Sequence, residues 1–269
     1  MSIASVELHS SAHRGAVEYV IEEVGERLDE RFSLEELAAL VFFSPYHFHR
    51  IFRQVTGVPP GRFFGALRIE AAKRLLLTSD LSVGEVCLEV GYRSIGTFTS
   101  QFSRLVGVSP RTFRNLGQAN GSFLAEAAEL APPPPPAGAT LAVTGRLELD
   151  GDERPRSAAV GLFPTPLAEG RPIACALAAA PGRYELRADC AGSFHVLAVT
   201  VEPAADWRGL LLHGADLRVA SSRGPVRMRA GAPPRAVDLV LRPRRLVDPP
   251  ILVPPVLLAL APAQKGRAA

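Results

Sequence analysis

A stretch of this chain occurs twice, fifty residues apart, and that repeat narrows the possible folds more than any other feature. Placing Ser44 on Ser94 brings Phe48 onto Phe98, Phe52 onto Phe102, Gly57 onto Gly107, Val58 onto Val108, Pro60 onto Pro110 and Phe63 onto Phe113. Upstream, Ser33 falls on Ser82 at an offset of forty-nine, so the second copy carries one extra turn residue near Arg93. Each copy opens with a capping-box signature, Ser33-Leu-Glu-Glu36 and Ser82-Val-Gly-Glu85. There the serine oxygen accepts from the backbone three residues on, and the glutamate reaches back to the serine N–H. Each short helix leads through a brief turn to a second cap, Ser44 with Pro45 behind it, and Ser94. The pattern is two helix–turn–helix units joined by a long helix from about Arg62 to Thr78. Val17, Val20, Ile21, Val24 and Leu28 recur at helical spacing and predict an amphipathic helix from roughly Arg14 to Glu30. Two units are too few to stack a solenoid core.

The pattern changes after "APPPPPAGA", residues 131 to 139, whose five successive prolines favour a semi-rigid polyproline II spacer. Beyond it the apolar period becomes two. Leu141, Val143, Gly145, Leu147 and Leu149 alternate with less apolar neighbours, as do Tyr184, Leu186 and Ala188. Phe194, Val196, Ala198 and Thr200 do the same, and so do Val237, Leu239 and Leu241. Gly/Pro turns punctuate these runs, which predicts an antiparallel sandwich. The expected fold class is therefore multidomain: an all-α double helix–turn–helix domain at 1–118, a Pro-rich linker at 119–139, and an all-β antiparallel sandwich at 140–269.

With 269 residues the chain is long enough for two ordinary domains. Its net charge of +3 is mild, but the distribution is uneven. Ser33 to Gln118 carries ten Lys/Arg against six Asp/Glu, whereas residues 1 to 32 carry three against seven. A basic block behind an acidic helix points towards a polyanionic partner. Cys87, Cys175 and Cys190 form no CxxC and no even framework, as expected of thiols in a reducing compartment. The start, MSIASVELHSS, lacks the basic and apolar regions of a signal peptide. The apolar run ILVPPVLLAL, Ile251 to Leu260, is too short to span a bilayer. A cytoplasmic protein without a membrane partner is expected.

Winding the second helix of each unit at about 100° per residue sorts its faces. Phe48, Ile51, Phe52 and Val55 share one sector, and Phe98, Gln101, Phe102 and Leu105 share the corresponding one; these are core. Opposite lie Tyr46, His49, Arg50 and Arg53 in the first unit. In the second lie Gly96, Thr99, Ser100 and Ser103, with Arg104 at the margin. Such an outward face enters the major groove in a helix–turn–helix protein. There Arg bridges the O6 and N7 of guanine, while His and Tyr reach base edges or phosphates. A metal reading of His47 and His49 is poor, because residues two apart on a helix point to different sides.

The block from about Arg14 to Asn115 resembles the DNA-binding domain of the AraC/XylS family of bacterial transcription regulators. The carrying motifs are "SLEELAALVFFSPYHFHRIFRQVTGVPPGRF" and "SVGEVCLEVGYRSIGTFTSQFSRLVGVSPRTFR", with "LRIEAAKRLLLTS" between them. The resemblance implies seven helices in two subdomains and double-stranded DNA as partner. By position it implies base contacts from Tyr46, His49 and Arg50 in the first unit and from Gly96, Thr97 and Ser100 in the second. Phosphate contacts are expected from Ser44, Arg53, Arg62, Ser94, Arg104 and Arg111. The family often carries Arg where Ser100 stands, so the first unit is expected to dominate specificity. Many members have Gly in the first turn, where this chain has Phe42; a bulky residue makes a left-handed turn costly, so a differently shaped turn is expected. RNA polymerase is a further candidate partner.

The C-terminal part is similar, more distantly, to a transthyretin-like (carboxypeptidase regulatory-like) sandwich, through "VTGRLEL" and "PGRYELRADCAGSFHVLAV". It offers no Ser–His–Asp spacing, no phosphate loop and no metal-ligand cluster. His195 is expected to be a structural histidine in a half-buried strand. His213, near Trp207 and Asp216, marks a candidate pocket, and the segment 160–177 reads as strand, loop, strand. The expected function is sequence-specific regulation of transcription, with no enzyme activity and no cofactor. A small-molecule effector at the C-terminal domain is a candidate ligand. The alternative is a ligand- or protein-binding sandwich for which the helical domain serves as a docking element.

Overall fold

The structure, a computed structural model, describes residues 3–118, 141–151, 154–201, 211–212 and 216–253. The chain divides into two compact units, residues 1–101 with 245–250 and residues 102–244 with 251–269. The proline run expected to act as linker, and the Trp207–His213 pair, lie outside the described residues.

The helices follow the repeat: α1 (Ile3–Gly25), α2 (Leu34–Ala39), α3 (Pro45–Thr56), α4 (Pro60–Thr78), α5 (Val83–Glu89), α6 (Ile95–Val106) and α7 (Pro110–Gln118). Both capping boxes close. Ser33 N–H donates to Glu36 at 2.7 Å and Glu36 N–H to Ser33 Oγ at 3.1 Å. Ser82 and Glu85 repeat this at 2.7 and 3.2 Å. In the first unit α3 packs on α1, α2 and α4. Phe52 sits at the centre of that packing, its ring 5.5 Å from Phe48, 5.3 Å from Phe63 and 5.4 Å from Phe64. The second copy reproduces the Phe52–Phe63 contact, Phe102 on Phe113 at 5.6 Å. Burial of a Phe contributes about 1.5–3 kcal/mol from area alone, so these rings fix how each second helix is held.

Two left-handed turns separate α2 from α3 and α5 from α6. In the second copy the turn is made by Gly91, at φ 79°. A Cβ there would stand 2.5 Å from the Leu28 carbonyl oxygen and 2.9 Å from that of Asp29, so only glycine fits. Arg68, from α4, donates to the carbonyls of Leu28 at 2.9 Å and Glu30 at 2.6 Å, tying down the same segment after α1. The equivalent residue in the first copy is Phe42, and the expectation of a differently shaped turn is corrected. Phe42 adopts the left-handed conformation at φ 56°. Its side chain is 97 % exposed, so no neighbour resists it and the cost is confined to its own backbone.

The remaining elements are strands: β1 (Leu141–Leu149), β2 (Arg156–Phe163), β3 (Ala174–Ala180), β4 (Gly182–Ala188), β5 (Gly192–Val201), β6 (Arg218–Ser221), β7 (Val226–Met228), β8 (Arg235–Ala236) and β9 (Leu239–Pro243). They form one sheet in the order β3-β2-β5-β6-β9-β1-β4, with β7 on β5 and β8 on β1. The two ends of this path, β3 and β4, are consecutive in the chain and lie side by side, so the sheet curls nearly into a barrel. The alternating positions read from sequence turn inward: Val143, Leu147, Tyr184, Leu186, Phe194, Val196, Leu239 and Leu241 share one core. The expectation of an all-antiparallel sheet is corrected. β9 runs parallel to β1, pairing Leu147 with Leu239 and Leu149 with Leu241, and β8 also runs parallel to it. A parallel pair needs a long crossover, and here strands β2 to β7 supply it. A second cluster covers the outer face of β2 and β5, where Ala168, Ile251 and Val253 pack on Ala159, Phe163 and Val199.

Gly145 explains the motif "VTGRLEL". It stands opposite Tyr184 in the β1–β4 register. A Cβ there would collide with the Val237 carbonyl oxygen, to which the Tyr184 hydroxyl donates at 2.6 Å. Burial, and then the Asp238 carboxylate, push the Tyr184 phenol above its ordinary value.

Candidate nucleic-acid interface

α3 begins where Ser44 Oγ accepts from His47 N–H at 3.3 Å, with Pro45 at the first helical position, and ends at Gly57 with φ 81°. The serine hydroxyl uses a lone pair for this cap and keeps its own proton for an acceptor outside the helix. Phe48, Ile51 and Phe52 are buried. On the other side Tyr46 is 82 % exposed, Arg50 and Arg53 are exposed, and His49 is half-buried. The helix therefore shows a polar, basic row while its opposite row is locked in the aromatic cluster.

His47, weighed in the sequence only as a metal ligand, is a neighbour of Arg50. Arg50 Nη2 donates to His47 Nδ1 at 3.3 Å. The bond requires the neutral imidazole with its proton on Nε2. His47 is itself packed edge-on against Phe43, at 4.7 Å between ring centroids, and against His13 of α1, at 5.7 Å. His47 and Arg50 are three residues apart and share a helix face; that spacing was the available signal. Nothing in the sequence links His13 to them.

α6 repeats the plan with plainer chemistry. Ser94 Oγ accepts from Thr97 N–H at 3.3 Å. Gly96, Thr97 and Ser100 are exposed, Thr99 and Ser103 are half-buried, and Phe98 and Phe102 are buried. Arg62 and Arg111 are exposed in the first turns of α4 and α7. Arg104 lies 3.9 Å from the Glu169 carboxylate, which competes for the charge it would offer a phosphate. Thus each expected base-contacting residue lies on α3 or α6. Arg62 and Arg111 lie on the helices that follow. Among the described residues, no group of three or more His, Cys, Asp and Glu could hold a metal ion, and no helix is long and apolar enough to cross a membrane.

Residues 37–116 match the model of a helix-turn-helix domain family. Over 89 residues the chain is 40% identical to the MmsAB operon regulatory protein of Pseudomonas aeruginosa, covering 33% of this chain and 29% of that protein. Over 107 residues it is 27% identical to the bifunctional transcriptional activator/DNA repair enzyme AdaA of Bacillus subtilis, covering 40% of this chain and 51% of that protein. The chain thus spans about half or less of these relatives' length. Among solved structures, the DNA-binding domain of AdpA, the global transcriptional factor, in complex with a target DNA, is 38% identical with a TM-score of 0.36, covering 37% of this chain and 89% of that one.

Proposed function

We propose that this chain, whose residues 37–116 form an AraC/XylS-type helix-turn-helix domain, is a transcription regulator that binds specific sites on double-stranded DNA. The observation that carries the reading is α3. Its aromatic row is held by Phe52 against Phe63, while Tyr46, His49 and Arg50 are presented outward in a domain of the matching family. These three residues make the base contacts, with weaker reading by Gly96, Thr97 and Ser100. Ser44, Ser94, Arg53, Arg62, Arg104 and Arg111 contact phosphates and fix the register. The two recognition helices enter successive major grooves. His47 holds Arg50 ready for a guanine edge. The likeness to a DNA repair enzyme covers only the helix–turn–helix part of that protein, and the chain works as a cytoplasmic regulator rather than an enzyme. RNA polymerase is the partner through which activation would run. The domain organisation is a DNA-binding part at 1–118, a linker at 119–139 and, at 140–269, a transthyretin-like module that takes an effector or a partner.

The test is a gel-shift on sequences selected from random DNA, at two salt concentrations. Arg50→Ala should cost roughly 1–3 kcal/mol and relax specificity at one base pair. Equal weakening on every sequence would reassign Arg50 to a phosphate. No salt-dependent, sequence-selective shift by the parent chain would sink the reading.

A further inference from the structure

Residues 223–235 of the β domain read RGPVRMRAGAPPR, four arginines and no acidic residue in thirteen positions. Two short strands frame them. β7 lies on β5 with Arg227 opposite Ser193 and Met228 opposite Gly192, and β8 lies on β1 with Arg235 opposite Val143. Between them the chain turns at Gly231, φ 73°, where Ala232 N–H donates to the Arg229 carbonyl at 3.1 Å. The strand alternation does the sorting. Met228 is buried in the barrel core, so Arg227 and Arg229 on either side of it face out. Arg223 and Arg235 are exposed as well.

Several arginines elsewhere in this domain are paired. Arg156 pairs with Asp216 at 2.5 Å, Arg187 with Glu185 at 2.9 Å, and Arg218 donates to the Asp150 carbonyl at 2.7 Å. None of Arg223, Arg227, Arg229 and Arg235 has a carboxylate partner among the described residues. Residues 140–269 as a whole carry seventeen Lys/Arg against twelve Asp/Glu. Four arginines within thirteen residues, with no carboxylate partner among the described residues, favour an external anion. The four arginines are spread along an extended segment. Its complement is an extended row of negative charge.

We infer that residues 223–235 form an arginine ribbon that lies along the phosphate backbone of the DNA beside the site read by the helices. The inference rests on the DNA-binding reading above. The chain between Gln118 and Leu141 is 22 residues, so its contour is at most on the order of 80 Å. With the helices seated, a ribbon on the same chain would bind flanking duplex as an intramolecular event. The ribbon adds affinity without base discrimination, because phosphate contacts carry no sequence information.

The experiment compares the full chain with the Arg227→Ala/Arg229→Ala/Arg235→Ala variant on a selected site in a long duplex, with binding measured from 50 to 200 mM salt. Each lost phosphate contact lowers the log–log salt slope by about 0.9, so the variant should be shallower by roughly 1–3 while its preference for the selected site over a scrambled one stays unchanged. The parent on a duplex trimmed to the bare site should show the variant's shallower slope. An unchanged slope overturns the ribbon and leaves the helix reading intact. So does loss of binding to phosphatidylserine vesicles with an unchanged DNA slope, which would assign the ribbon to lipid. A parent chain without selective binding overturns both readings. Circular dichroism confirms that the variant is folded, and its three exposed positions bury nothing that would unfold it.

Discussion

Phe42→Gly should make this protein more stable, although it removes the largest side chain of its turn. Holding an L-residue in the left-handed region costs roughly 1–2 kcal/mol, and Phe42 sits there at φ 56°. Glycine removes that cost. It also adds freedom to the unfolded chain, worth about 0.4–1 kcal/mol in the other direction. The side chain is 97 % exposed, so its loss forfeits almost no burial. The balance is a gain of about 0.5–1 kcal/mol. For a helical domain of roughly a hundred residues that raises the midpoint by about 2–8 °C. The assay is thermal unfolding followed by helical circular dichroism, which reports the helices separately from the sheet. Two controls bracket it. Phe42→Ala keeps a Cβ, keeps the backbone cost, and should move the midpoint little. Gly91→Ala acquires both the left-handed cost and a collision with the Leu28 carbonyl at 2.5 Å, and should destabilise. If Phe42→Gly is neutral or destabilising while Gly91→Ala behaves as stated, the strain argument for the first turn is refuted. A stabilised Phe42→Gly that binds DNA less well would instead show that the exposed ring is kept for contact.

Gly145→Ala should lower the unfolding transition of the sheet by about 1–3 kcal/mol through overpacking, and further by loosening the Tyr184–Val237 bond; an unchanged sheet transition in near-UV dichroism would be the contrary result. The Glu36 and Glu85 carboxylates are held below the usual value, mainly by the backbone N–H of Ser33 and Ser82 and then by the serine hydroxyls. A depressed carboxylate contributes stability above its unfolded pKa of about 4.3 and loses it as pH falls through the folded one. Helical stability should therefore decline below about pH 4.3, and Ser33→Ala/Ser82→Ala, which removes the hydroxyls and keeps the backbone N–H groups, should flatten that part of the profile only in part. Burial pushes the Cys175 thiol up to about 12, so it stays protonated and unreactive near neutral pH. Alkylation mapped by mass spectrometry should spare Cys175 until the sheet unfolds.

The helical half was legible because its signals are local. Ser33, Ser44, Ser82 and Ser94 each bond within three residues of themselves, so the sequence neighbours that reveal a cap also make it. The aromatic rows of α3 and α6 follow from a 3.6-residue period, which needs no knowledge of the partner. Phe42 was misjudged because the left-handed penalty was taken as prohibitive. The pairing of His13 with His47 depends on how α1 lies on α3, which no short-range pattern encodes. In the sheet, β1, β4, β5 and β9 were legible from alternation, since one face of each meets the barrel core. The sequence could not say that β9 runs beside β1, because Leu147 and Leu239 are ninety-two positions apart and antiparallel neighbours were assumed. Gly145 was visible as part of a motif, while its reason, the close approach of Val237, lies on a distant segment.

That same β1–β9 pairing bears on how the protein is made. β9 sits between β6 and β1, in the middle of the sheet path, yet among the described strands it is the last to be made. Until it arrives, β1 with β4 and β2 with β3, β5 and β6 are two separate sheets, each with an open edge and half a core. The helices need nothing downstream of α7 for their caps and aromatic clusters. During synthesis the helical half is thus free to fold early, while the sheet waits for residues 239–243 to close it. A nascent chain arrested a few residues short of β9 would present two half-sheets with unpaired edges attached to finished helices.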